Sequence, residues 1–367
     1  MRPLGFIILA LLGWAAAATA PVTKYAPTDV TGGPALTDPG HPDSSKTVWD
    51  YPHTGEPPIP PVKPILEVGL RDPSICTGPG GWYYLTGTIG PNFMTENAGI
   101  PLWRSRDLQH WESLGLVWTF AKDGTWQSRW TEKNGQRRRA LWAPEIHYLK
   151  GNFYIAYCVT GLGTGLLRSQ SGKPEGPYAS VNTPDAPLTS GIDASLFEDD
   201  DGSVYFVYGS GYIAKMKPDL SGLAEKPERL RCVPADTDPE HHHPQRPCKP
   251  GELDHVGFEG AFLFKRHGRY YLSCAERYYE RYSCMTAESA TLRGPYSARY
   301  VSVPYAGHNT FFEDFQGRWW STIFGNDPQA PVQKQPGLIP VEFDPAGHIR
   351  PVVSGEAWVP TRPAGTH

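Results

Sequence analysis

Nowhere in this chain do apolar residues recur with the ~3.6-residue period of an amphipathic helix, which argues against a helical core. Charge is sparse too: Asp, Glu, Lys and Arg make up 20% of the residues, and 38 acidic against 34 basic side chains leave a formal charge of −4. With a pI near 6.3, there is no electrostatic reason to expect nucleic acid or an anionic membrane as partner. The apolar run from Leu4 to about Trp14, behind Arg2, is too short and too weakly flanked to span a bilayer. It ends in an Ala-rich stretch, so residues 1–20 read as a secretory signal cleaved after Ala18 or Ala20. No cysteine follows that run to take a lipid anchor. The expectation is an exported, soluble monomer, secreted or periplasmic.

What the chain has in quantity is turn formers and aromatics: 39 Gly, 38 Pro, 12 Trp and 19 Tyr. Residues 21–64 hold 11 of the prolines and no hydrophobic period, so 21–65 reads as an extended arm or linker ahead of a single domain at 66–367. Six cysteines are free to oxidise after export. Cys274 and Cys284 flank what reads as a loop between adjacent strands, and Cys232 and Cys248 bracket a polar, Pro-rich loop. Both pairs are expected disulfides. Cys76 and Cys158 fall inside strands of different repeats and read as buried thiols.

The organising unit is Ile192–Tyr208, a short strand, a tight turn at Asp201-Gly202 and a second strand rich in β-branched and aromatic residues. Asp193 stands nine residues before the turn glycine. The same count back from Gly81, Gly151, Gly268 and Gly317 reaches Asp72, Trp142, Glu259 and His308. Small or compact residues follow each: Pro73-Ser74, Ala143-Pro144, Ala194-Ser195, Gly260-Ala261 and Asn309-Thr310. Three residues past each turn glycine stands an aromatic: Tyr84, Tyr154, Tyr205, Tyr271 and Trp320. Five such units, about 50 to 70 residues apart, indicate radial repetition.

With some four short strands per repeat, the pattern predicts an all-β fold, a five-bladed β-propeller. The first strand of each unit would line the axis, which explains the small residues. Lys122–Arg139 reads as a polar loop before the second repeat, Val233–His255 as an insertion before the fourth, and a last strand is expected near Val352–Val359. The acidic run Glu198–Asp201 reads as a hairpin turn, and His241-His242-His243 as an exposed loop and not a metal site.

On this register Asp72, Trp142, Asp193, Glu259 and His308 surround one opening. Carboxylates from different blades facing one ligand suit glycoside hydrolysis, where one carboxylic acid protonates the departing oxygen and another carboxylate activates water or attacks the anomeric carbon. The motifs Arg71-Asp72-Pro73-Ser74, Trp142-Ala143-Pro144-Glu145-Ile146-His147, Ile192-Asp193-Ala194-Ser195-Leu196-Phe197, Glu259-Gly260-Ala261 and Gly307-His308-Asn309, in order and in register, resemble glycoside hydrolase family 43 over roughly residues 66–345. That family comprises five-bladed arabinanases, arabinofuranosidases and xylosidases.

The resemblance implies Asp72 as general base, Glu259 as general acid and Asp193 as the carboxylate that tunes and orients the acid. It implies Trp142 as an aromatic wall of the sugar pocket, and His308 as an axial histidine beside a structural calcium or other ion, often held through water. It also implies inversion, no cofactor for the chemistry, and arabinofuranosyl or xylosyl linkages of plant cell-wall polysaccharides as substrate. Alanine stands at 194 and 261 where proline is frequent in the family, and both changes leave the carboxylates in place. The insertion before Glu259 could close one end of the cleft and favours exo-action. Competing readings are a galactosyl or galactofuranosyl hydrolase of the same fold and a propeller that only binds carbohydrate. A retaining fructan hydrolase is disfavoured, because no Trp-x-Asn-Asp-Pro motif precedes Arg71-Asp72-Pro73.

Overall fold

The computed structural model describes residues 57–353 apart from 91, 183–185, 235–250 and 279–280. Within that span the chain builds five four-stranded antiparallel sheets, each from strands consecutive in sequence. The inner strands are Leu70–Gly78, Leu141–Leu149, Ala194–Glu198, Glu259–Arg266 and Phe311–Glu313. The outermost are Trp111–Thr119, Tyr178–Ser180, Glu228–Arg229, Tyr300–Val303 and Ile349–Pro351. This is the five-bladed β-propeller that the repeat predicts. All ten small residues of the repeat are buried at the starts of the inner strands, where the backbones converge.

Stability resides in the seams between blades, and the repeat aromatics fill them in turn. Tyr84 packs between the first and second blades with Phe153 and Ile155, and Tyr154 between the second and third with Leu196 and Phe206. Tyr205 lies between the third and fourth with Leu263 and Leu272, and Tyr271 between the fourth and fifth with Phe311 and Val341. Trp320 packs with Leu70, Tyr83 and Leu85 and so joins the last blade to the first. Among the described residues no strand is exchanged between sheets, so side-chain packing at this seam does most to close the ring, with a few hydrogen bonds beside it. Thr322 Oγ1 adds a hydrogen bond to the Pro73 carbonyl (2.8 Å), and the Leu70 amide donates to Lys334 O (3.1 Å). The described end of the Pro-rich arm lies on the fifth blade, where Pro64 bridges to Gly337 and the Ile65 amide donates to Pro336 O.

Some expectations meet the structure differently. Lys122–Arg139 is not plain loop: a short helix Phe120–Asp123 and a hairpin, Thr131–Lys133 with Gln136–Arg138, occupy it. Asn134 and Gly135 both take positive φ in that hairpin's turn, a turn signal that the polar composition had obscured. The last strand among the described residues is Ile349–Pro351, and most of the strand expected near Val352–Val359 lies outside them, since 354–367 is not described. Cys274 and Cys284 do not flank a loop. They lie within paired strands, where Cys274 faces Met285 and Ala275 faces Cys284. Because side chains alternate across a sheet, the thiols project to opposite faces, one into each neighbouring seam. Both are free thiols, as are Cys76 and Cys158. Cys248 and His241-His242-His243 lie outside the described residues. The acidic run does form a turn, and Lys265 of the fourth blade pairs with Asp199 and Asp200 there (2.8 Å each).

Trp320→Ala should be among the most destabilising truncations in the chain. Its ring is fully buried and its Nε1 donates to Asp314 Oδ2 (2.9 Å). Truncation of such a ring costs about 3–5 kcal/mol, so thermal melting should show a loss of many degrees, and a shift of a degree or two would contradict the closing role. Alkylation mapping of folded protein supplies a second check: Cys274 and Cys284 should be recovered as thiols after unfolding without reductant, and recovery of a crosslinked peptide would reverse the assignment.

Candidate active site

Every inner strand is entered through a residue in the left-handed region: Asp72 (φ 51°), Ala143 (44°), Asp193 (55°), Gly260 (63°) and His308 (56°). Asp and His tolerate this conformation better than most side chains, and Gly carries no penalty. The strand pairing slips beside three of these residues, between Arg71 and Ser74, Trp142 and Glu145, and Glu259 and Phe262. Such bulges re-aim side chains, here at the mouth of the axis. Gly260 is required on a second count, because a Cβ there would lie 2.7 Å from the His308 ring.

The left-handed positions correct the nine-residue count. It holds for Asp72, Asp193 and His308, but in the second and fourth blades the left-handed residue is one step later, at Ala143 and Gly260. Those blades turn through only two residues, Lys150-Gly151 and His267-Gly268. Trp142 and Glu259 therefore enter the mouth from the position before the bend.

The structure brings Asp72, Asp193, Glu259 and His308 together. Nδ1 of His308 lies 3.5 Å from Asp72 Oδ1 and 3.8 Å from Asp193 Oδ2. Burial opposes a charged imidazole, yet Asp193, Asp72 and Glu259 outweigh it and push the His308 pKa up to about 9. Burial likewise pushes Asp193 up to about 7; the His308 cation opposes this, and Glu259 and Asp72 add to it. The Gly260 amide donates to Asp193 Oδ2 (3.2 Å), tying Asp193 to the backbone beside Glu259. Behind it lies the buried Cys158 thiol, 3.9 Å from Asp193 Oδ1. Desolvation raises that thiol far above its ordinary pKa, which leaves it unreactive.

Asp72 accepts a hydrogen bond from Thr88 Oγ1 (2.9 Å), whose oxygen in turn accepts the Ala143 amide (2.7 Å). The hydroxyl thus accepts from the amide with one of its two lone pairs and gives its single hydrogen to Asp72. Arg71 points elsewhere, donating to Asn326 Oδ1 (2.8 Å) with its guanidinium over Phe93 and Phe324. Trp142 is half-buried at the rim, its Nε1 bonded to Phe93 O (2.6 Å). Glu259 is held by the Tyr282 hydroxyl, 2.7 Å from Oε1.

Thr88 and Tyr282 escaped the sequence reading because neither sits on an inner strand. Thr88 could have been found as the cross-strand partner of Arg71, whereas Tyr282 has no motif to mark it.

A direct bond from His308 to the expected calcium ion does not fit this side chain. Calcium takes oxygen ligands, while the ring directs its protonated edge at two carboxylates. Among the described residues no group of three or more His, Cys, Asp or Glu is spaced to hold a metal ion. No step below is routed through one.

A five-bladed ring that gathers three carboxylates from three blades around one histidine has the kind of site a glycosidase uses, since glycoside hydrolysis calls for a pair of carboxyl groups. The chain belongs to glycosyl hydrolases family 43, whose model matches residues 61–349. A xylosidase/arabinosidase of Butyrivibrio fibrisolvens is 26% identical over 284 residues, covering 72% of this chain and 51% of that protein. The chain thus spans about half the length of that relative. The extracellular endo-α-(1→5)-L-arabinanase 1 of Bacillus subtilis is 25% identical over 266 residues, 68% of this chain and 74% of that one. The crystal structure of a GH43_1 enzyme from Xanthomonas citri superposes with a TM-score of 0.62 at 19% identity, covering 82% and 97% of the two chains. At that identity the likeness speaks for the fold.

The buried proton of Asp193 has a measurable consequence. Its pKa is raised on folding from 3.8 to about 7, so the native state binds this proton more tightly than the unfolded chain. The stability it confers is complete below the unfolded pKa and is lost as pH rises through about 7. Asp193→Asn removes that loss. Melting points of variant and wild type measured from about pH 4 to pH 7 should show the variant gaining steadily with pH; a constant or shrinking difference would refute it.

Proposed function

We propose that the chain hydrolyses arabinofuranosyl or xylosyl linkages of plant cell-wall polysaccharides or their oligosaccharides, inverting the anomeric centre. The observation that carries this reading is the convergence of Asp72, Asp193 and Glu259, from three blades, around His308. Asp72, oriented by Thr88, is the general base that activates water. Glu259 is the general acid that protonates the leaving oxygen. Asp193 touches neither bond; through the Gly260 amide it fixes the backbone from which Glu259 projects. Trp142 walls the sugar site. The substrate class follows what the related proteins are named for. Exo-action follows from the insertion ahead of Glu259, whose described ends are drawn together by the bridge between Cys232 and Asp254. Export follows from the signal-like residues 1–20 and from the extracellular Bacillus relative.

Acid and base are separable by leaving group. Glu259→Ala should lose most activity on natural glycosides but keep far more on an activated aryl glycoside, which needs little protonation. Asp72→Ala should lose both alike, by a factor on the order of 10²–10⁴. If Asp72→Ala is instead the variant that the activated substrate rescues, the two roles are reversed. Proton NMR of the first-formed sugar tests inversion separately, and a retained anomer would make one carboxylate a nucleophile.

A further inference from the structure

The side-chain hydrogen bond to Glu259 among the described residues comes from a phenol that lies 23 residues further along the chain. Tyr282 belongs to Arg281–Ser289, the third strand of the fourth blade, and its hydroxyl reaches Glu259 on the first. It is 2% exposed, and its backbone is held at both polar groups. The Tyr282 amide donates to Asp327 Oδ2 (2.7 Å), and its carbonyl accepts the Gly307 amide (2.9 Å), the residue before His308. The ring packs against Gly307, where a Cβ would come within 2.5 Å of it, and Phe258 and Phe324 flank it at 6.1 Å. With the ring so confined, the hydroxyl has one hydrogen-bond partner among the described residues, Glu259 Oε1.

We propose that Tyr282 is the positioning residue of proton donation: by occupying Oε1 of Glu259, its hydroxyl places the transferable proton on Oε2. This rests on the reading of Glu259 as the acid. A carboxylic acid has one proton and two oxygens, and a proton on Oε1 would be spent on the phenol and turned away from the sugar. With the phenol donating to Oε1, the Oε2–H bond is the one left to break. Its proton passes to the glycosidic oxygen, and the bond from the anomeric carbon to that oxygen breaks with its electron pair on the oxygen. Water activated by Asp72 forms the new bond and leaves its proton on Asp72.

The phenol suits a permanent donor. Burial, with Glu259, Asp72 and Asp193 nearby, pushes its pKa well above the ordinary value, so it stays protonated. The other charged groups against it are Arg277, 5.6 Å from the ring centre, and Asp327, whose carboxylate takes the backbone amide. Neither contacts the hydroxyl.

Tyr282→Phe deletes the hydroxyl and keeps the ring. The probes are the methyl and para-nitrophenyl glycosides of whichever sugar, arabinofuranose or xylose, the wild type hydrolyses. The variant should lose roughly 10- to 100-fold in kcat/KM on the methyl glycoside and much less on the para-nitrophenyl one. A donor to a carboxylate favours its charged form, so deleting it should move the basic limb of the pH–rate profile upward by about one unit. A difluorotyrosine at 282, a stronger donor of the same shape, should move that limb downward and serves if the Phe variant folds poorly. Equal losses on both probes with an unmoved basic limb would show a packing role only. Glu259→Ala, run alongside, separates the two levels. If it lacks the leaving-group dependence, the acid assignment falls and this inference with it. If it has that dependence and Tyr282→Phe does not, the inference alone fails.

Discussion

Five inner strands meeting at one axis force buried polar groups into a small volume, and the contact that makes this tolerable is the His308 imidazolium between Asp72 and Asp193. Uncompensated carboxylates at that depth would be costly. A cation supplied by the fifth blade to acids of the first and third makes ring closure and site assembly a single event. Asp193 and His308, each 5% exposed, belong to the core as much as to the chemistry.

Around this centre the fold divides its tasks by strand. The second strands carry the seam aromatics, which hold blade to blade, and the ends of the inner strands carry the polar groups. The bend at each left-handed residue separates the two, because past it the inner strand resumes regular pairing. A change in a seam therefore alters stability with little direct effect on the mouth. Tyr282 departs from this division: its ring packs with Phe258 and Phe324 while its hydroxyl reaches Glu259.

Family membership and fold constrain the reaction more than the substrate. The carboxylates sit on inner strands that the ring geometry holds in place, whereas Trp142 leans on Phe93 from the connection between the second and third strands of the first blade. Sugar selectivity would then be set by such connections, which the ring does not restrain, and relatives named for different sugars share one fold.

The periodic features were legible in the amino-acid order itself. Turn glycines, small residues and aromatics each answer to a local need, namely a positive φ, a crowded axis or a seam to fill, so they appear at a readable spacing. Asp72, Asp193 and His308 followed from that spacing alone. Trp142 and Glu259 were found but misplaced by one residue, because turn length differs between blades and counting from the glycine cannot detect it. The Cys274–Cys284 pair was misread because proximity in sequence says nothing about which face of a pleated sheet a side chain takes. Tyr282 and the buried proton of Asp193 were decided only in three dimensions. Each depends on which strands pair, in what register, and how much water the closed ring excludes, and none of these is a property of any short stretch of chain.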